Sequence, residues 1–142
     1  MVIILILMIL TACGSATEYD LTGVVVLREN ASTYPSFSSK CSGSGELAFI
    51  GEGASITITS GGDTLYKGKL LEGRGSQYAD CEIPFSGTLI EADKYEVTIA
   101  GINGNEWSAT CQNREVTKVQ GEIAFFKLHI YPDRTICMTT KV

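Results

Sequence analysis

The chain is poor in the residues that build hydrolytic and metal sites. It has one histidine, His129, one tryptophan, Trp107, and three prolines in 142 residues. A lone histidine with no nucleophile or orienting partner near it in sequence does not make a general base. No serine sits in a G-x-S-x-G elbow, and no H-E-x-x-H, Walker or EF-hand spacing occurs. No two cysteines form a C-x-x-C pair, so no zinc site, other metal or cofactor is expected. Basic clusters are also missing. Eleven Lys and Arg stand against sixteen Asp and Glu, for a net charge of −5. Nucleic acid is not an expected partner, because its binding rests on neutralising phosphates. Beyond residue 13 no apolar repeat of 3.6 residues appears, which argues against amphipathic helices.

Long apolar runs are absent too. The longest covers residues 2–10, about half of what a membrane-crossing helix needs. Its length and the small residues after it fit the apolar core and cleavage site of a signal peptide. The run ends in Leu10-Thr11-Ala12-Cys13. Those four residues resemble the lipobox of bacterial lipoproteins. The resemblance implies cleavage before Cys13, a diacylglyceryl thioether on its sulfur, and often an acyl group on the new amino terminus. Two or three acyl chains anchor stably, at about 0.8 kcal/mol per buried methylene. The expected division is therefore a signal peptide over residues 1–12, lipidated Cys13 with a small polar tether over 13–20, and one domain over 21–142. The expected location is the extracytoplasmic face of a bacterial membrane, either the cell membrane or an outer membrane.

Five cysteines is an odd number for an exported chain. Lipidation of Cys13 leaves Cys41, Cys81, Cys111 and Cys137, which allow three pairings. Pairing neighbours, Cys41 with Cys81 and Cys111 with Cys137, needs the shortest closures and is favoured, but sequence alone does not choose. Each bridge would add about 3–4 kcal/mol in the chain-entropy model.

The remaining chain reads as strands. Residues 21–28 are rich in Val and Leu. Residues 29–40 are polar and read as a loop, in which Asn30-Ala31-Ser32 matches a glycosylation sequon by coincidence in a bacterial chain. Gly43 to Ala48 match G-x-G-x-x-A, but without a strand before and a helix after, this is a loop. Residues 46–50 form a short candidate strand. Residues 54–59 alternate apolar and hydroxyl side chains, Gly61-Gly62 turns the chain, and 64–71 returns. Residues 73–77 read as a loop, and 81–89 as a strand that Pro84 marks as an edge or a bulge. Asn103-Gly104 is a strong hairpin signal between residues 94–102 and 105–111. Residues 122–131 form the longest strand candidate, with Phe126, Leu128 and Ile130 on one face and Phe125, Lys127, His129 and Tyr131 on the other. His129 is expected to be solvated or packed across strands. Residues 135–140 close the chain.

Seven to nine antiparallel strands divided by turns define an all-β sandwich or a barrel-like sandwich. The block Cys41-x-Gly-x-Gly, residues 53–58, the Gly-Gly-Asp turn, Lys67-Gly68-Lys69-Leu70 and Cys81-x-x-Pro84-Phe85 resembles a domain of small exported actinobacterial lipoproteins. The resemblance covers less than half the chain beyond Cys13. It implies an Ig-like β domain with a Cys41–Cys81 bridge, and it carries no activity.

If Asn103-Gly104 makes a two-residue turn, Ala100 faces Trp107, and Trp107 lies on the less apolar face, away from Val97 and Ile99. There it would either cover the Cys111–Cys137 bridge or anchor a partner. The expected function is non-catalytic binding of an envelope protein or glycan, with Trp107, Tyr78 and Arg74 as contacts. Two other functions remain open. One is a disulfide-bonded lipoprotein inhibitor of a protease or lysozyme, inserting residues 29–40 or 73–80. The other is a weak glycan-acting enzyme.

Overall fold

The computed structural model describes residues 17–33, 35–112, 117–119 and 123–138. Cys13 and the leader lie outside the described residues, as do residues 139–140 of the closing strand. Among the described residues, eleven strands form two sheets packed as a sandwich rather than a closed barrel. The strands are β1 (Glu18–Leu27), β2 (Lys40–Cys41), β3 (Ser55–Ser60), β4 (Asp63–Lys69), β5 (Gly73–Gly75), β6 (Cys81–Ile90), β7 (Lys94–Ala100), β8 (Glu106–Gln112), β9 (Thr117–Val119), β10 (Ile123–Ile130) and β11 (Thr135–Met138). One sheet runs β11-β10-β1-β6-β5-β2 with β9 also on β10; the other runs β4-β3-β7-β8.

Alternation explains most of the sandwich. In β1 the side chains of Tyr19, Leu21, Val25 and Leu27 are buried, and Ile83, Phe85 and Leu89 of β6 lie beneath the same core. Phe126, Leu128 and Ile130 complete that layer as expected. Ile56 and Ile58 of β3 and Tyr95, Val97 and Ile99 of β7 face them from the second sheet. Tyr95 meets Phe126 edge-on, with ring centroids 5.6 Å apart. Gly23 sits opposite Phe85 in the ladder, and the Phe85 ring occupies the space a side chain at Gly23 would need. Tyr66 of β4 closes one side of the sandwich. It leans on Phe85 and donates its hydroxyl to the Ser86 carbonyl at 3.1 Å.

Pro84 is not on an edge strand, because β6 lies between β1 and β5. The Pro84 carbonyl accepts from the Leu71 amide at 2.9 Å. A residue's nitrogen and carbonyl point the same way in a strand, so the missing N–H falls outside the β1–β6 ladder.

Several expectations are corrected. The strands are not all antiparallel: β1 and β10 pair in parallel over eight residues. The two strands lie about a hundred residues apart in the chain, and neither segment's own sequence names its distant partner. Residues 46–50 are not a strand. Gly45–Leu47 is one turn of 3-10 helix, and the amides of Leu47, Ala48 and Ile50 bond locally, to Ser44, Gly45 and Leu47. Residues 73–77 are not wholly a loop, because Gly73–Gly75 is strand β5, between β2 and β6. β10, at eight residues, is shorter than β1 and β6, at ten each. β1 begins at Glu18, so residues 18–20 belong to the sheet and not to a tether.

The Asn103-Gly104 hairpin is present, with a different register. The Gly101 amide bonds the Asn105 carbonyl at 2.9 Å and the Gly104 amide bonds Gly101 at 3.2 Å. Gly104 has φ 81°. This is a three-residue loop whose last residue is left-handed, a common alternative to the two-residue turn. The extra residue pairs Ile99 with Trp107 and Val97 with Ala109. Trp107 therefore lies on the core side, half-buried against the hydrophobic cluster, and not on the opposite face.

Candidate functional site

Two disulfides are formed. Cys41 joins Cys81 with Cα atoms 5.7 Å apart, and Cys111 joins Cys137 at 5.8 Å. The second ties β8 of one sheet to β11 of the other. The first staples the bases of two adjacent loops, residues 35–39 leading into β2 and residues 76–80 leading into β6.

Both loops are tight. In the first, the Ser39 amide and hydroxyl both donate to the Ser36 carbonyl. In the second, the Ala79 amide bonds the Ser76 carbonyl, and the Ser76 hydroxyl accepts from the amides of Tyr78 and Asp80. They are also joined to each other. The Ser38 amide donates to the Gly75 carbonyl at 2.8 Å and the Gly75 amide to the Ser39 carbonyl at 2.9 Å. Gly75 permits this approach, since the Ser36 carbonyl and the Pro35 ring stand where a Cβ would be.

Each loop presents one large aromatic side chain. Phe37 is 74% exposed and Tyr78 is 76% exposed. Each is followed by a non-glycine residue at positive φ, Ser38 at 60° and Ala79 at 62°. Such residues are uncommon, and they cluster where a loop must hold a particular shape.

Arg74 braces this pair of loops. It donates to the Ser38 carbonyl at 2.9 Å and to the Glu72 carboxylate at 2.8 Å, and Lys40 bonds the other Glu72 oxygen at 2.8 Å. The hydrogen bond from Lys40 holds the Glu72 carboxyl below its usual range, and the same bond raises the Lys40 ammonium. Nearby, Arg28 pairs with Asp80 at 3.1 Å. Arg28 and Arg134 both stack on Tyr131, at 5.8 and 4.0 Å from its centroid.

Of the three expected contacts, Tyr78 and Arg74 fall together at this double loop, while Trp107 is half-buried in the other sheet. Phe37 was missed, hidden in a polar stretch. Its only signal was an aromatic residue flanked by serines, Ser36 and Ser38.

His129 is neither solvated nor hydrogen-bonded. It is 7% exposed, beside Val26 in the parallel ladder and opposite Ile136, and neither ring nitrogen has a partner. Burial pushes its pKa down, Lys127 and Arg28 push it further, and Asp80 opposes them. The unfolded chain therefore binds a proton that the folded chain refuses. Stability should be full above the ordinary histidine value of 6.5 and fall as the pH drops through that value toward the lower folded one. Urea titrations between pH 7.5 and 5 should show the loss in the wild type. They should show a flatter profile in His129→Leu.

A hollow of about 240 Å³ lies between residues 49–54 and the 101–105 turn, lined by Phe49, Glu52, Ile102, Asn103 and Asn105 among others. Ile102 on its rim is fully exposed. Among the described residues no group of three or more His, Cys, Asp or Glu could hold a metal, and no helix is long and apolar enough to cross a membrane. Compared with family models, with curated proteins and with solved structures, the chain matches none.

Proposed function

We propose that the chain is a lipid-anchored, non-catalytic binding module, held at Cys13 on the outer face of a bacterial membrane and engaging an envelope partner through the double loop. The observation that carries this reading is the presence of two exposed aromatic residues, Phe37 and Tyr78, on loops stapled at their base and cross-bonded. Two exposed aromatics brought together on one pair of loops suggest a surface meant to be covered. Loops already held in one shape lose little entropy on binding.

The anchor and the loops are tested separately. Radiolabelled palmitate should mark the wild type and not Cys13→Ser. Envelope extract passed over the immobilised chain should leave a partner that Phe37→Ser with Tyr78→Ser fails to retain. Loss of one hot-spot residue costs about 2 kcal/mol or more, roughly thirtyfold in affinity. Thermal melting should not change, because both side chains are mostly in water. Equal retention by both proteins refutes the loops as the contact.

The same staple favours a second reading, inhibition of a protease or lysozyme by loop 76–80 inserted into a cleft. Inhibition that survives Phe37→Ser but not Tyr78→Ser would select it.

A further inference from the structure

The exposed apolar loops gather at one end of the sandwich. β1 runs from Glu18, opposite Ile90, to Leu27, opposite Cys81 and Ile130. The double loop and the 131–134 turn therefore stand at the Leu27 end. β6 returns to the Glu18 end, and after three residues β7 sets out again and finishes at Ala100, which pairs with Ser55. The 101–105 turn, the hollow beside it and residues 45–54 thus share the Leu27 end. Phe37, Tyr78 and Ile102 are all there, 74%, 76% and 103% exposed. Among the described residues, the turns at the Glu18 end, 61–62 and 91–93, carry only glycine, alanine and acidic residues.

We infer that the Leu27 end is a docking surface for a protein partner standing away from the membrane, and that the hollow beside Ile102 takes an apolar side chain of that partner. This rests on the anchoring reading above. Five residue steps separate Cys13 from Glu18 and span at most about 17 Å. The ten residues of β1 put the Leu27 end about 30 Å beyond Glu18. The tether is too short to turn the domain over and drive Phe37, Tyr78 and Ile102 head-first into the bilayer that holds the chain. The chemistry of this end is aromatic and arginine-rich: Phe37, Tyr78, and Tyr131 stacked with Arg28 and Arg134. Tyrosine and arginine dominate protein–protein hot spots, and hot spots pair with well-packed pockets on the other partner. Arg28, Lys40, Arg74 and Arg134 are each already paired with a carboxylate, of Asp80, Glu72 or Asp133, so none of these four is left free to favour an acidic polymer.

The test uses the full lipidated chain in phosphatidylcholine vesicles containing a rhodamine-headgroup lipid. A donor dye is placed on Asp93→Cys in one sample and on Asn103→Cys in another. Energy transfer should be strong from position 93 and several-fold weaker from position 103. Equal or reversed transfer overturns the orientation. If the wild type does not join vesicles, or Cys13→Ser joins equally well, it is the anchoring reading that has failed. In cells, a photo-crosslinker at Tyr78 should give one discrete protein adduct, abolished by Ile102→Asp, while the same crosslinker at Asp93 gives none. Adducts to lipid, to polysaccharide or to a second copy of this chain, or an adduct indifferent to Ile102→Asp, overturn the assignment of the partner.

Discussion

Removing the Cys41–Cys81 bridge, as Cys41→Ala with Cys81→Ala, should lower stability by about 4 kcal/mol. The bridge closes a loop of 40 residues, and the chain-entropy model assigns such a closure about that much. In a domain of this size the melting temperature should fall by about 15 °C, read by circular dichroism. A shift under about 3 °C would refute the expectation. The consequence for function is the sharper part. This bridge ties the bases of the two loops that present Phe37 and Tyr78, so partner retention should fall even at temperatures where the sandwich stays folded. Removing Cys111–Cys137, which closes 26 residues, should cost about 3.5 kcal/mol. That bridge joins β8 to β11, away from the double loop, and its loss should leave binding unchanged at low temperature. Equal loss of binding from both pairs would mean that the staple acts only through global stability.

The second large effect lies at Gly23 and Phe85. A Cβ at Gly23 would stand 2.2 Å from the Phe85 ring, and the ring is 1% exposed with little room to move. Gly23→Ala should cost about 1–3 kcal/mol through overpacking. Phe85→Ala should cost about 3–5 kcal/mol, since it empties the space between Gly23, Tyr66 and the core. The two residues form one packing unit, so Gly23→Ala combined with Phe85→Leu should be more stable than the sum of the single changes predicts. Urea unfolding of the four proteins measures the coupling. Strict additivity would show that the ring does not depend on the glycine beneath it.

The long strands were legible because each buries every second side chain, and that pattern survives without knowledge of the partner strand. Residues 54–59, 81–89 and 122–131 all read as strands for this reason, and Gly61-Gly62 marked its turn. The short strands β2 and β5 had no such pattern. Two or three residues cannot alternate visibly, and Gly73 and Gly75 look like loop until a neighbour pairs with them. The register at Trp107 failed for a related reason. Asn103-Gly104 signals a two-residue turn but also suits a three-residue loop, where Gly104 takes the left-handed last position, and one residue moves the indole from one face to the other. Of the candidate site, Tyr78 and Arg74 stood out in sequence, but the role of Arg74 as a brace depends on Ser38 and Glu72 lying beside it.

The amino-acid order alone determined an all-β chain, its main turns, and a set of four cysteines beyond Cys13, because alternation, glycine pairs and residue counts are properties of the local chain. Only the tertiary structure decided which sulfurs meet, that β1 and β10 run in parallel, that His129 is buried without a partner, and that Phe37, Tyr78 and Ile102 share one end. Each of these depends on segments distant in sequence becoming neighbours, and no local pattern encodes which distant segment that will be.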